Sequence, residues 1–257
     1  MWTRNRQDLL KDATNAASID VIERSAFIVC LDDTNPVTKD EISRACWHGE
    51  GRNRYFDKAL QFIVFDNGKA GFNGEHSMMD ATPTHRLCEF VCEGIAKNSF
   101  KTGPPASKLA EPPQLAFHLS SNQVAYIQTA ETTFAKIAEK EDLRVVSFEA
   151  FGKNAIKKWG VSPDGFAQMA IQLAYYKMYG KCGATYESAQ TKKFAYGRTE
   201  TCRSVSVESV EWTKAMSNPE LSLKTKGMLG RKAIYAQGAY MADCVEGRGV
   251  DRHFLGI

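Results

Sequence analysis

The sequence has 257 residues, of which 43% are hydrophobic, a composition that fits one large or two small globular domains. Its 33 basic and 30 acidic residues leave a formal net charge of +3, which argues against binding nucleic acid or membranes by bulk attraction, so any anion site must be local. No apolar stretch approaches the roughly 20 residues that a bilayer crossing requires, and the first residues lack the apolar part of a signal peptide, so we expect a soluble protein.

Seven cysteines lie at positions 30, 46, 88, 92, 182, 202 and 244, without the close pairs of a zinc site or a thioredoxin motif. Cys88 and Cys92 are four residues apart in a helical pattern and share a face, but two thiols without further ligands make a poor metal site. We therefore predict a reducing compartment and no bound metal.

Two strands are predicted in the first quarter of the chain. Residues 26–31 form a short apolar run that follows a helical segment and ends at two aspartates, as a buried strand would. Residues 60–65 form a second run, and the Asp-Asn-Gly turn at 66–68 predicts a hairpin into residues 70–72. His76 follows almost directly.

A helix is predicted from Thr84 onward, because the apolar residues recur at helical spacing, at Leu87, Phe90, Val91 and Ile95. Residues 101–113 contain four prolines and few large apolar residues, a composition typical of an extended connection. We place a domain boundary in this stretch, with domains at residues 1–115 and 116–257.

The second domain is predicted to begin with a helix, a strand and a longer helix. The first helix has apolar residues at Val124, Ile127, Phe134 and Ile137, and the strand covers residues 143–148. The long helix opens at Ser162, which can cap it, and Pro163 and Asp164 both favour the first turn. Strands followed by helices in both domains indicate an α/β fold.

Three segments resemble the choline/carnitine acyltransferase family. The first joins residues 53–58, Asn-Arg-Tyr-Phe-Asp-Lys, to the predicted hairpin and to residues 75–80, Glu-His-Ser-Met-Met-Asp. The second comprises short blocks at 151–153, 162–168, 172–176, 186–188 and 197–201, and the third is Gly-Val-Asp-Arg-His at 249–253. The resemblance covers almost the whole chain and is strongest to the fungal, acetyl-transferring members.

The resemblance implies a fold made of two chloramphenicol-acetyltransferase-like α/β domains, those of the coenzyme A-dependent acyltransferases. Residues 1–115 would be the C-terminal part of the N-domain, which carries the catalytic histidine. Residues 116–257 would be the first part of the C-domain, which carries the coenzyme A and carnitine contacts. Family members are much longer, so the chain resembles an internal fragment.

The reaction implied by the resemblance is reversible transfer of an acetyl group between coenzyme A and L-carnitine. Removing the hydroxyl proton as the alcohol attacks a thioester needs a base, and imidazole titrates in a suitable range. His76 matches the family's base, and Asp80 with Arg198 matches a supporting ion pair. Coenzyme A is a substrate here, and no metal or prosthetic group is implied.

Substrate contacts follow from the same resemblance. Tyr186, Ser188, Thr199 and Arg252 match the family's contacts to the carnitine carboxylate, which calls for hydroxyl donors and one basic residue. Lys153, Lys157 and Asp164 match its coenzyme A contacts, where lysines would face phosphate groups.

Two alternatives stay open at the level of sequence. One is a carnitine acyltransferase for medium or long acyl chains, and the other is an inactive fragment that only binds coenzyme A. The expected partners are acetyl-CoA and L-carnitine, without nucleic acid and with no indication of membrane association. The resemblance implies the mitochondrial matrix or the peroxisome, and a cytoplasmic location is compatible with it.

Overall fold

The structure, a computed structural model, describes residues 2–101, 103 and 111–257. It contains two compact units, one reaching to Val146 and the other spanning Ser147–Ile257. Among the helices of the described residues, none combines the length and the apolar composition that a membrane crossing needs.

The first unit contains helices and a small sheet. Its elements in chain order are α1 (Trp2–Leu9), α2 (Ala13–Arg24), β1 (Ile28–Asp32), α3 (Lys39–Trp47), β2 (Gln61–Phe65), β3 (Ala70–Asn73), α4 (Ala81–Ala96) and α5 (Ser121–Ala138). The predicted strands and the hairpin are therefore confirmed, as are the helices near Thr84 and Val124.

The sheet has the strand order β1-β2-β3. β1 and β2 run parallel with Cys30 opposite Ile63, and β2 and β3 form the predicted antiparallel hairpin. One face of the sheet is buried: Cys30, Ile63 and Phe65 pack with side chains of α3. Gly71 is required here, because a Cβ at this position would lie 2.0 Å from the Sγ atom of Cys46.

The second unit consists of α6 (Lys153–Lys158), α7 (Pro163–Tyr179), β4 (Glu187–Gln190), β5 (Thr199–Cys202), α8 (Val207–Ser217), α9 (Leu223–Val245) and α10 (Asp251–Leu255). The strands β4 and β5 form an antiparallel hairpin that packs on α9 through Ala189, Cys202 and Cys244. The helices α7 and α9 share a second core around Met169 and Ile234. The cap predicted for α7 is present, since Ser162 Oγ accepts a hydrogen bond of 3.2 Å from the Gly165 amide.

The units divide between Val146 and Ser147, whereas the sequence analysis placed the domain boundary after residue 115. Residues 116–146 lie in the first unit because their backbone binds α2. The buried Asn15 side chain donates to the His118 carbonyl at 2.8 Å and accepts from the His118 amide at 2.7 Å. Ser18 donates to the Ala116 carbonyl at 2.7 Å. Of the predicted connection, residues 102 and 104–110, including Pro104 and Pro105, lie outside the described residues.

The predicted strand at residues 143–148 is wrong, because this segment has no regular secondary structure. Its backbone binds side chains in place of a neighbouring strand. The Leu143 carbonyl accepts a hydrogen bond of 3.3 Å from Arg44 Nε, and the Val145 amide donates to Asp40 at 2.7 Å. An apolar alternating pattern predicts an extended chain, but a strand also needs a ladder partner.

Candidate active site

His76 lies in the short segment between β3 and α4. Its side chain is 74% exposed, and its Nδ1 atom lies 3.8 Å from Oδ1 of Asp80, the residue that precedes α4. That separation suits electrostatic orientation of the ring and is too long for a hydrogen bond. The structure thus presents the imidazole at the surface of the first unit beside a carboxylate.

The turn that carries His76 is tied together by its two neighbours. The Glu75 carboxylate accepts hydrogen bonds from the Ser77 amide at 2.9 Å and from the Ser77 hydroxyl at 2.5 Å. These bonds favour the charged carboxylate and lower the pKa of Glu75. Neither residue was predicted to have a role, since a local Glu-x-Ser bridge carries no distinctive pattern.

The hairpin that leads to His76 is anchored by two amide side chains. Gln61 is fully buried, and its Oε1 accepts a hydrogen bond of 2.8 Å from the Tyr55 amide. Its Nε2 donates to Oδ1 of Asn73 at 3.4 Å. Asn73 in turn donates to the carbonyls of Cys46 and Trp47 at 3.0 and 3.1 Å. The end of β3, three residues before His76, is therefore attached to β2 and α3.

The motif residues Asn53 and Arg54 have a structural function. Arg54 forms a two-point ion pair with Asp32, with both N···O distances at 2.8 Å, and its side chain is only 2% exposed. The Arg54 guanidinium lowers the pKa of the Asp32 carboxyl, and Asn53 adds a hydrogen bond of 2.8 Å to that carboxyl. Arg54 also donates to the Ala45 carbonyl at 2.9 Å, which connects the end of β1 to α3.

Lys58, the last residue of that motif, is also buried, with 7% exposure. Its ammonium group donates to the carbonyls of Glu23 and Ser25 at 2.8 and 2.9 Å. A cation at these carbonyls stabilises the C-terminal end of α2. Residues of the motif thus connect the ends of β1 and α2 to the segment that leads into the hairpin.

The second unit brings together the four residues predicted to contact carnitine. Arg252, in α10, donates from Nη2 to the Tyr186 hydroxyl at 3.3 Å and to Thr199 Oγ1 at 3.5 Å. Its Nε donates to the Thr199 carbonyl at 3.2 Å. The pKa of the Tyr186 phenol is lowered, chiefly by the hydrogen bond from Arg252 and also by hydrogen bonds with Ser188 and Thr199. The result is one guanidinium surrounded by hydroxyl groups.

Arg252 is held in place through its own backbone and its neighbour in sequence. The Arg252 amide donates to Oε1 of the buried Glu200 at 3.3 Å. Asp251 accepts from Nε of Arg203 at 2.8 Å, and Arg203 also donates to the Thr185 carbonyl at 2.8 Å. These contacts connect α10 to β5 and, through Arg203, to the segment that precedes β4, so the guanidinium has a defined position.

The predicted coenzyme A residues lie at α6 and at the start of α7. Lys153 and Lys157 are exposed and four residues apart in α6, so they share one helix face. Asp164 lies in the first turn of α7.

Asp164 faces a second carboxyl group, that of Glu187, which was not among the predicted site residues. The Gln237 side chain donates to Asp164 Oδ2 at 3.2 Å and to Glu187 Oε2 at 3.0 Å. Burial first, and the hydrogen bond to Asp164 second, raise the pKa of Glu187 to about 7. Within the described part of the chain, Oε1 of the buried Gln237 has no hydrogen-bond partner. Glu187 and Ser188 are neighbours in β4, so their side chains lie on opposite faces of the strand. The acidic pair therefore lies on the face away from the Ser188 hydroxyl.

The sequence as a whole matches the family described as choline/carnitine O-acyltransferase over residues 1–257. The chain belongs to this family. Membership confirms the family predicted from the three sequence segments. It also confirms, together with the mixed helices and strands, the α/β class and the coenzyme A-dependent acyltransferase fold.

Several relatives of this choline/carnitine O-acyltransferase chain have names that specify a reaction. It is 40% identical to the mitochondrial carnitine O-acetyltransferase of Saccharomyces cerevisiae, covering 100% of this chain and 39% of the relative. It is 37% identical to the carnitine O-acetyltransferase of Columba livia, with 100% and 42% covered. It is 34% identical to the peroxisomal carnitine O-octanoyltransferase of Bos taurus, with 100% and 43% covered. The chain thus spans about two fifths of the length of these relatives.

The predicted site residues of this acyltransferase chain are divided between the two units. His76 and Asp80 lie in the first unit, and the residues predicted to contact coenzyme A and carnitine lie in the second. Arg198 also lies in the second unit, so its ion pair with Asp80 stays a prediction. Among the described residues, no three His, Cys, Asp or Glu side chains form a group that could hold a metal ion.

Proposed function

We propose that this polypeptide takes part in reversible transfer of an acetyl group between coenzyme A and L-carnitine. The observation that carries the proposal is the convergence of Tyr186, Thr199 and Arg252, with Ser188 beside them. It is supported by membership of an acyltransferase family and by 40% identity to a relative named for carnitine acetyl transfer.

The cluster around Arg252 favours an acceptor that carries a carboxylate. A guanidinium forms strong, directional hydrogen bonds to carboxylate oxygens, and the neighbouring hydroxyls of Tyr186 and Thr199 can add further donors. Carnitine has such a carboxylate, whereas choline does not. The Ser188 and Thr199 side chains contribute no charge, and Nη1 of Arg252 lies 3.6 Å from Oδ2 of Asp251, so a ligand carboxylate would join a guanidinium that already has one acidic neighbour.

In the direction of carnitine acetylation, His76 would accept the proton of the carnitine hydroxyl as its oxygen attacks the thioester carbonyl. The tetrahedral intermediate then expels the coenzyme A thiolate, which takes up the proton, and acetylcarnitine forms without a covalent bond to the protein. Asp80, 3.8 Å from Nδ1, would orient the ring so that the other ring nitrogen acts as the base. We assign Arg198 to the support of Asp80. The ammonium of carnitine would offset part of the oxyanion charge.

Coenzyme A would bind across α6 and the start of α7. Lys153 and Lys157 supply two cations on one helix face for its phosphates, and Asp164 supplies an acceptor for a neutral donor of the coenzyme. In this assignment the first unit belongs to the N-domain of the family fold and the second to the C-domain. We expect the protein in the mitochondrial matrix or the peroxisome, since one relative is named as mitochondrial and another as peroxisomal.

The test is carnitine-dependent release of free thiol from acetyl-CoA by the complete encoded polypeptide. His76→Ala should lower kcat by about 100-fold or more, since a general base contributes roughly 10²–10⁴-fold. His85→Ala, which removes an exposed imidazole of α4, is the matched control and should retain activity.

Three alternative outcomes would contradict parts of the proposal. Equal activity with choline would refute the role of Arg252, and preference for octanoyl-CoA would assign the protein to longer acyl chains. Binding of coenzyme A by a folded protein without turnover would leave a coenzyme A-binding function alone.

A further inference from the structure

The turn that follows α6 is held from the side by α9. Nη1 of Arg231 donates a hydrogen bond of 2.6 Å to the Trp159 carbonyl. The Tyr235 hydroxyl donates to the Gly160 carbonyl at 3.1 Å. Since Arg231 and Tyr235 are four residues apart in α9, they lie on one face of that helix. This face therefore binds two consecutive carbonyl groups directly beyond the C-terminal end of α6.

Such external contacts matter because α6 is very short. It has six residues, and Ile156 is its buried residue. Isolated helices of this length are unstable in water, so tertiary contacts must hold them. A cation near the last carbonyls is also favourable for the helix dipole, and Arg231 supplies one.

Aromatic rings also pack at this end of α6. The ring of Trp159 lies 5.0 Å from the ring of Phe151 and 6.0 Å from that of Phe166, measured between centroids. Gly160 has a positive φ of 74°, which turns the chain sharply toward α7. Packing of these rings sets the distance between α6 and α7. The two directional hydrogen bonds from α9 set the rotation of α6 about its axis and its position along α9.

We propose that Arg231 and Tyr235 are positioning residues that hold α6 so that Lys153 and Lys157 face the 3′-phosphate of coenzyme A. This inference rests on the proposed function, which assigns those two lysines to the coenzyme. Arg231 and Tyr235 act through the backbone of the α6–α7 turn and do not themselves contact the substrate. Their loss therefore weakens recognition of the phosphate and leaves the acyl-transfer step and the carnitine site unchanged.

The test compares coenzyme A with 3′-dephospho-coenzyme A, which lacks the group that the lysines would bind. Dissociation constants are measured by calorimetry on the complete polypeptide for wild type, Tyr235→Phe and Arg231→Met. We expect weaker binding of coenzyme A by about threefold for Tyr235→Phe and about tenfold for Arg231→Met, the size of a lost neutral and a lost charged hydrogen bond. Binding of the dephospho form should change by less than about twofold.

The control variant is Lys232→Met, which removes a cation from the same helix at a residue that faces Glu211, with an N···O distance of 3.6 Å. It should leave both dissociation constants unchanged, and Arg231→Lys should recover part of the Arg231→Met loss. Thermal unfolding of each variant shows whether the fold is intact, and Tyr235→Phe, which removes one hydroxyl, keeps the test valid if Arg231→Met unfolds.

Two results would overturn the inference, and they are distinguishable. If Lys153→Ala and Lys157→Ala weaken coenzyme A binding but Tyr235→Phe and Arg231→Met do not, or weaken both coenzymes equally, the positioning role is refuted and the proposed function stands. If the lysine variants bind coenzyme A as wild type does, the phosphate assignment fails and the inference fails with it.

Discussion

Arg252 is the residue that we propose selects a substrate with a carboxylate. Its guanidinium contacts two hydroxyl groups and one carbonyl, and its Nη1 lies 3.6 Å from Oδ2 of Asp251. The side chain remains 38% exposed. The amide contact to Glu200 and the neighbouring Asp251–Arg203 pair keep it in place without neutralising it fully. A ligand carboxylate can therefore reach the guanidinium at the surface of the second unit.

Arg252→Asn should raise the KM for carnitine by about 10- to 100-fold, because a charge-assisted hydrogen bond contributes about 1.5–3 kcal/mol. The KM for acetyl-CoA should change little, since that substrate carries no carboxylate for this position. Steady-state kinetics with each substrate varied in turn measures both values. Equal increases in the two constants would contradict the assignment of Arg252 to carnitine.

Glu187 makes the stability of the second unit depend on pH. Burial and the nearby Asp164 carboxyl raise its pKa from 4.5 to about 7, so the folded protein binds a proton there that the unfolded chain has released. Between these two pH values the native state holds more protons than the unfolded state, and stability therefore falls as pH rises. We expect the Tm to decrease by a few degrees from pH 5 to pH 7.5 through this group.

Glu187→Gln should remove that part of the pH dependence, because an amide does not titrate. Thermal unfolding at several pH values compares this variant with wild type and with Glu220→Gln, which replaces an exposed carboxyl. A wild-type profile that stays parallel to that of Glu187→Gln would show that Glu187 ionises normally.

At the level of elements, the β2–β3 hairpin places His76 through contacts that lie well away from the ring. Gln61 and Asn73 join the strands to α3, and the Arg54–Asp32 pair joins the end of β1 to the same helix. Residues of a family motif can thus be structural. The motif at residues 53–58 is the example, because the Arg54 side chain is only 2% exposed, Lys58 is buried, and both bind backbone carbonyls.

Arg54→Met should destabilise the first unit by about 3–5 kcal/mol, the cost of leaving one partner of a buried ion pair unpaired. Asp32, 13% exposed, would keep its charge without the guanidinium. Urea unfolding measures the change. The control is Asp20→Asn, which breaks an exposed ion pair with Arg24 of the same 2.8 Å length and should change stability by less than about 1 kcal/mol. Similar losses in both variants would show that burial of the Arg54 pair is unimportant.

At the scale of the whole molecule, large apolar side chains remain exposed on both units. Leu31 on β1 is 73% exposed, Val146 is 88% exposed and Leu223 at the start of α9 is 86% exposed. Val29, on the same face of β1 as Leu31, is 51% exposed, so this face of the strand presents an apolar patch, and exposed apolar patches favour association.

The 257-residue chain expressed alone should therefore bind a hydrophobic dye and associate at micromolar concentration. The complete encoded polypeptide should bind less dye per molecule. Dye fluorescence and analytical ultracentrifugation measure the two effects. A monomeric 257-residue chain that binds no dye would show that these side chains are covered by a rearrangement of the chain itself.

The sequence alone determined the family, the hairpin before His76, the cap of α7 and the cluster of Tyr186, Ser188, Thr199 and Arg252. These features depend on local spacing and turn chemistry, or on motifs whose residues are specific enough to be read directly. Tertiary structure decided the rest. The Asp164–Glu187–Gln237 contacts, the attachment of residues 116–146 to α2 and the absence of a strand at 143–148 all depend on which distant groups meet. Hydrogen-bond partners far apart in sequence leave no periodic pattern, so only the folded chain reveals them.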